Sequence, residues 1–236
     1  MSDSPIVLVP GYWLGAWAWD EVAALLRDEG HQVTALTLPG LDAPDTDRSS
    51  ITMQDHVDAI VDAVAAHDDP VVLVLHSGAG TSGYGATDRV PERIAAAVYL
   101  DTGPGTGPMD PEFSSDELPL PSWEELAEDP GNSLEGVSDE DLERFRSRAV
   151  PQPGGVVREA PELTNPARLD VPTTLVCTTY SSGEYQEAAA AGFPFLGGLN
   201  ELRDVTYLDL PACHWSMWSH PQEVADVIST IARRGD

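Results

Sequence analysis

Lysine is absent from this 236-residue chain: all 12 basic residues are arginine, set against 40 aspartates and glutamates. A formal net charge of −28 repels phosphate backbones and anionic headgroups, which disfavours nucleic acid and anionic membranes as partners. Two readings of this acidity stand. One is a compositional bias that removes lysine; the other is adaptation to a high-salt (halophilic) cytoplasm, where screening weakens repulsion among crowded carboxylates. Cysteine is nearly missing as well. Cys177 and Cys213 are the only two, too few for a disulfide framework and without the spacing of a metal-ligand set, so no metal and no cofactor is expected. No apolar run approaches the 18 residues that a membrane span needs. The start, MSDSPIVLVPG, carries an acid before its apolar segment and no basic stretch, so a secretory leader is not expected and cytoplasmic residence is the default.

Hydrophobic residues make up 42% of the chain, which suits a folded globular protein. Apolar runs at 5–10, 31–37, 70–76, 95–101, 172–178 and 204–210 read as strands. They are nearly continuous rather than alternating, as expected of parallel strands covered on both faces. Helical patterns fall between them at 17–29, 52–66, 79–88, 182–191 and 220–233. In MQDHVDAIVDAVAA the acids Asp55, Asp58 and Asp62 leave Val57, Ile60, Val61 and Val64 for a buried side. The rhythm is βαβ, and the expected architecture is one α/β domain over 1–236 with a mostly parallel six-stranded sheet. Residues 102–168 break the rhythm. SWEELAE and SDEDLERFRS begin like capped helices, Ser122 with Glu125 and Ser138 with Asp141. This segment is expected to form a small helical cap over the strand ends.

The strand VVLVLH stops at Ser77, and Gly78, Ala79 and Gly80 follow. Ligands in an open α/β sheet bind beyond the carboxyl ends of the strands. A serine in a tight strand-to-helix turn is thrust outward while its small neighbours leave room for the bend, which suits a nucleophile. A serine there also suits a plain helix N-cap. Two further stretches bear on the choice. GYWLGAWAWD at 11–20 follows the first strand, and its backbone N–H groups could face the Ser77 turn together with that of Gly78. LPACHWSMWSHPQE at 210–223 puts His214 in the loop after the last strand, within reach of the sheet top. His76 precedes the serine on the strand and should point into the sheet as a structural residue.

These pieces, VPGYWLGAWAWD, TALTLPG, LHSGAG, VYLD, VPTTLVCT and the loop with HPQE, resemble the α/β-hydrolase superfamily. The likeness is to its small branch of methyl-salicylate-type esterases, hydroxynitrile lyases and bacterial esterases, and it spans the chain apart from 102–168. The resemblance implies a nucleophile at Ser77, a general base at His214, and oxyanion donors at Tyr12 and Gly78. The chain departs from the family at Pro10, where histidine is usual, and at Leu75 and Ala79, where the common elbow has glycines.

The third group of a triad is not at its usual place. After TTLVCT the acidic position is taken by Tyr180. Candidates are Asp101, at the end of the neighbouring strand, and Glu184, four residues beyond Tyr180; a dyad helped by water or by the hydroxyl of Tyr180 or Ser181 also stands. The implied reaction is hydrolysis of a short-chain, aryl or lactone ester, with Trp13, Trp123, Trp215 and Met217 as candidate lining for a small apolar or aromatic substrate. A catalytically silent ligand-binding or interaction protein of the same fold is the rival reading. The lyase reaction is disfavoured, because relatives that run it use a lysine beside the site.

Overall fold

The computed structural model describes residues 3–233. Its strands are β1 (Ile6–Val9), β2 (Val33–Ala35), β3 (Val71–His76), β4 (Ile94–Leu100), β5 (Glu117–Leu118), β6 (Gln152–Pro153), β7 (Thr173–Cys177) and β8 (Val205–Asp209). Six of them form one sheet in the order β2-β1-β3-β4-β7-β8, and every neighbouring pair is parallel. The helices are α1 (Asp20–Asp28), α2 (Met53–Ala65), α3 (Ala79–Arg89), α4 (Trp123–Glu128), α5 (Asp139–Arg148), α6 (Gly154–Arg158), α7 (Ser182–Ala190), α8 (Ser216–Ser219) and α9 (Pro221–Ala232).

The continuous apolar strands have the physical basis expected of them. Successive side chains point to opposite faces, and both faces are covered. Ile6, Leu8, Val72 and Val74 pack with α1 and α9 through Val22, Leu26, Val224 and Ile228. Val7, Val9, Leu73 and Leu75 pack on the other face against Ile60 and Val64 of α2 and Tyr185 of α7. Edge strands behave differently: β2 is only half-buried and shrinks to three residues, because it pairs on one side alone.

Helix α2 starts on a full capping box, with Thr52 and Asp55 bonding each other's backbone N–H. The segment expected as one helix from residue 17 begins as a tighter 3₁₀ turn over Ala16–Trp19 before α1. The excursion yields α4 and α5 where the capping signals stand, and Ser122–Glu125 closes a complete box. It also holds the antiparallel ribbon β5–β6 and α6, for which the sequence carried no signal. These extra elements form a cap-like insertion on the sheet. Arg48 fastens it: the buried guanidinium donates to the Pro151 carbonyl at 2.8 Å and to the Thr46 carbonyl at 2.8 Å.

Burial sets one pH dependence. His56, on the inner side of α2, is pushed down to about 4 by loss of solvent, although Nε2 donates to the Pro39 carbonyl at 2.9 Å. In the unfolded chain it protonates near 6.5, so between pH 6.5 and 4 the unfolded state binds the extra proton. Stability therefore falls as pH drops through that window, by about 3 kcal/mol from this group. Urea unfolding at pH 4, 5, 6 and 7 is expected to show that loss, and H56Q to flatten it; an equal slope in both proteins counts against the assignment.

Candidate active site

Strands β3 and β4 each run one residue past their last rung and then turn sharply. The Ser77 N–H donates to the Leu100 carbonyl at 3.3 Å, and that of Asp101 to the Val176 carbonyl at 2.9 Å. Both residues then adopt positive φ, 51° at Ser77 and 49° at Asp101. Trp13, in the loop after β1, has φ 66°. Among the described residues these are the three non-glycine positions with positive φ, each costing on the order of 1–3 kcal/mol. All three line one cavity.

The bends bring three side chains into line. His214 Nε2 lies 2.8 Å from Ser77 Oγ, and Nδ1 lies 2.7 Å from Asp101 Oδ2. His214 arrives from the loop after β8, and its own N–H donates to the Ser133 carbonyl of the cap. Asp101 is buried and fully bonded. Its Oδ1 accepts from the N–H groups of Thr178 (3.2 Å) and Thr179 (3.0 Å) and from the Tyr185 hydroxyl (3.0 Å). Its Oδ2 accepts from the Thr179 hydroxyl at 2.8 Å as well as from His214. Burial alone would raise the carboxyl, but the hydrogen bond from His214, with those from both Thr179 groups, holds it well below the usual carboxylate range.

Glu184, the other candidate acid, is placed elsewhere. Its Oε2 accepts from the Ser181 N–H (2.8 Å) and hydroxyl (2.7 Å), completing the capping box of α7. It reaches the cavity wall but bonds Ser181 rather than the imidazole. His76 lies in the sheet interior: Nε2 donates to the His214 carbonyl at 2.9 Å. Burial pushes it down to about 3, so a neutral ring sits behind His214.

Tyr12 and Gly78 face each other beside Ser77. A Cβ on Gly78 would stand 2.3 Å from the Tyr12 ring, and one on Gly11 would stand 2.7 Å from Ser77 Cβ. Only bare backbone fits at these two positions. The first loop is tied to the cap through Trp13, whose indole N–H donates to the Leu118 carbonyl at 3.0 Å and whose own carbonyl accepts from Val150. Gly11→Ala forces that loop off Ser77, and misplacement of about 1 Å is worth roughly 10²-fold in rate. Activity assays on G11A are expected to show that loss, chiefly in kcat.

The cavity holds about 590 Å³. Trp13 lines it, but three expected lining residues do not. Trp123 packs on Phe145 with Arg146 over its ring at 3.8 Å. Trp215 and Met217 are buried in the core with Phe145 and Trp218. The histidine loop runs straight into α8, so the residues after His214 turn inward to the helices. The wall instead draws on Met109, Asp129, Tyr180, Phe193 and Phe195. Of these only Tyr180 was singled out by sequence, as the occupant of a missing acid's place. Among the described residues no group of three His, Cys, Asp or Glu side chains could hold a metal ion.

Residues 6–227 match the profile described as Alpha/beta hydrolase family. Esterase PIR7B of Oryza sativa subsp. japonica is 38% identical over 103 residues, covering 42% of this chain and 38% of its own length. Carbendazim hydrolyzing esterase of Nocardioides sp. (strain SG-4G) is 35% identical over 97 residues, 40% of each chain. The chain thus spans about two fifths of the length of these relatives. Tomato Methylketone Synthase I complexed with 2-tridecanone superposes with a TM-score of 0.74 at 20% identity, covering 100% of both chains. A pyrethroid hydrolase from Sphingobium faniae JZ-2 gives 0.70 at 21%, covering 99% of this chain and 98% of that one. At such identities these structures establish the fold.

Proposed function

The chain belongs to the alpha/beta hydrolase family, and on that premise we propose that it hydrolyses small carboxylic esters through an acyl group carried on Ser77. The observation that supports this most is the unbroken line Ser77–His214–Asp101 at the wall of the cavity. We place the chain with the small esterases of the family rather than with the lyases, since it holds no lysine to receive cyanide.

In this reading His214 Nε2 takes the proton of Ser77 Oγ as that oxygen attacks the ester carbonyl. The carbonyl oxygen gathers negative charge and is received by the N–H groups of Tyr12 and Gly78. The intermediate collapses, its alcohol leaves with the proton from His214, and an acyl–Ser77 ester remains. His214 then takes a proton from water, whose oxygen attacks that ester. The acid departs and Ser77 Oγ recovers its proton. Asp101 keeps the Nδ1–H tautomer in place and offsets the imidazolium charge. Trp13, Phe193, Phe195 and Leu196 contribute apolar surface to the lining, which favours apolar or aryl esters.

A fluorophosphonate probe tests the reading directly. Wild type is expected to gain one adduct per chain, on the peptide that contains Ser77, and S77A none. No adduct on the wild type, or an adduct that survives in S77A, overturns it.

A further inference from the structure

Among the described residues the large hydrophobic side chains left exposed are Met109, Tyr180, Phe193, Phe195 and Leu208. All but Leu208 line the wall of the cavity above Ser77. Exposed apolar residues scattered singly need no explanation, but convergence on one opening marks a binding surface. They arrive from three separate segments: Met109 from the excursion, Tyr180 from the loop after β7, and Phe193 and Phe195 from the turn after α7. Phe193 is the cap of a 3₁₀ helix and Phe195 lies inside it, so the two rings stand on an ordered turn.

The carboxylates in the lining of this cavity are Asp101, Asp129 and Glu184, and among the described residues no arginine lines it. Tyr180 registers the field: burial, then Asp129, Asp101 and Glu184, push its phenol up, so a negative charge placed there is opposed by these carboxylates. A volume of about 590 Å³ also exceeds what an acetate ester fills and lies in the range of sites for drug-sized ligands.

We propose that the substrate is a bulky aryl ester whose distal aromatic group carries no negative charge and rests on the collar of Met109, Tyr180, Phe193 and Phe195 while its carbonyl meets Ser77. This rests on the ester-hydrolase reading above. Continuity of the collar with the cavity assigns the occupant to the substrate, and the net charge of −28 opposes an anionic bilayer at the same place.

Three 4-nitrophenyl esters test it: the acetate, the 3-(biphenyl-4-yl)propanoate, and that ester with a carboxylate on the distal ring. The biphenyl ester is expected to exceed the acetate in kcat/KM by about 100-fold, mostly through KM, as burial of two rings implies. The carboxylate is expected to lower kcat/KM by about tenfold, and D129N/E184Q to recover most of that loss. The double variant F193A/F195A is expected to compress the biphenyl-to-acetate ratio below about ten. Equal rates on acetate and biphenyl ester, or an unchanged ratio in F193A/F195A, overturn the proposal while ester hydrolysis stands. If none of the esters is hydrolysed, the parent reading fails instead. Calorimetric binding of 3-(biphenyl-4-yl)propanamide to S77A then decides the collar by itself: binding weakened in S77A/F193A/F195A supports it, and no binding to S77A overturns it.

Discussion

Replacing Ser77 with alanine is expected to lower kcat/KM on a 4-nitrophenyl ester by at least about 10⁴-fold while the folded state persists. The change removes one oxygen, and with it the atom that bonds His214 at 2.8 Å. What remains is binding and the two backbone donors, which alone give a modest rate over water. The fold does not depend on that oxygen. β3 is buried along its whole length, and the Ser77 N–H to Leu100 bond is kept by alanine. Circular dichroism and melting temperature are therefore expected to stay near wild type. An S77A protein that keeps a tenth or more of the activity places the nucleophile elsewhere.

Asp101→Asn is expected to cost a comparable factor, about 10⁴ in kcat, and for a reason visible atom by atom. Asp101 Oδ1 accepts three hydrogen bonds from the β7 loop and Tyr185. An asparagine must keep its oxygen there, since an N–H turned toward three donors leaves all of them buried and unpaired. Its NH₂ then occupies the place of Oδ2 and donates to His214 Nδ1. The imidazole is driven to the Nε2–H tautomer, which cannot take the proton of Ser77. E184Q is the control. The Glu184 carboxylate serves the α7 cap, so a small loss of stability and near-normal kcat are expected. Full activity in D101N, or collapse in E184Q, reverses the assignment of the acid.

The sheet was legible because its physics is one-dimensional. A strand buried on both faces must be apolar throughout, and VVLVLH or AAAVYL admits few other readings. Edge strands were less so: β2 and β8 are partly exposed, and β2 proved much shorter than its apolar run. In the cap, paired serines and acids announced α4 and α5, whereas two-residue strands such as β5 and β6 leave no periodicity to detect.

The site divided along the same line. Ser77 and His214, which lie 2.8 Å apart, could be paired in the sequence because position at a strand end limits where a side chain goes. Choosing between Asp101 and Glu184 could not be done from spacing. It depends on a left-handed turn at Asp101 and on Ser181 claiming Glu184 first, both local backbone events. The cavity wall was misread for a different reason. Trp215 and Met217 are neighbours of His214 in sequence, yet α8 turns them into the core. Phe193 and Phe195 lie just past the helix expected over 182–191, in a stretch for which no element was expected.

The most direct measurement is acid-quenched mass spectrometry of the enzyme during turnover of a 4-nitrophenyl ester, with the modified peptide mapped. The account predicts one acyl group per chain on Ser77, formed with the first burst of nitrophenol and accumulating further when deacylation is slow. Steady turnover with no acyl group on Ser77, or with the acyl group on another residue, contradicts it.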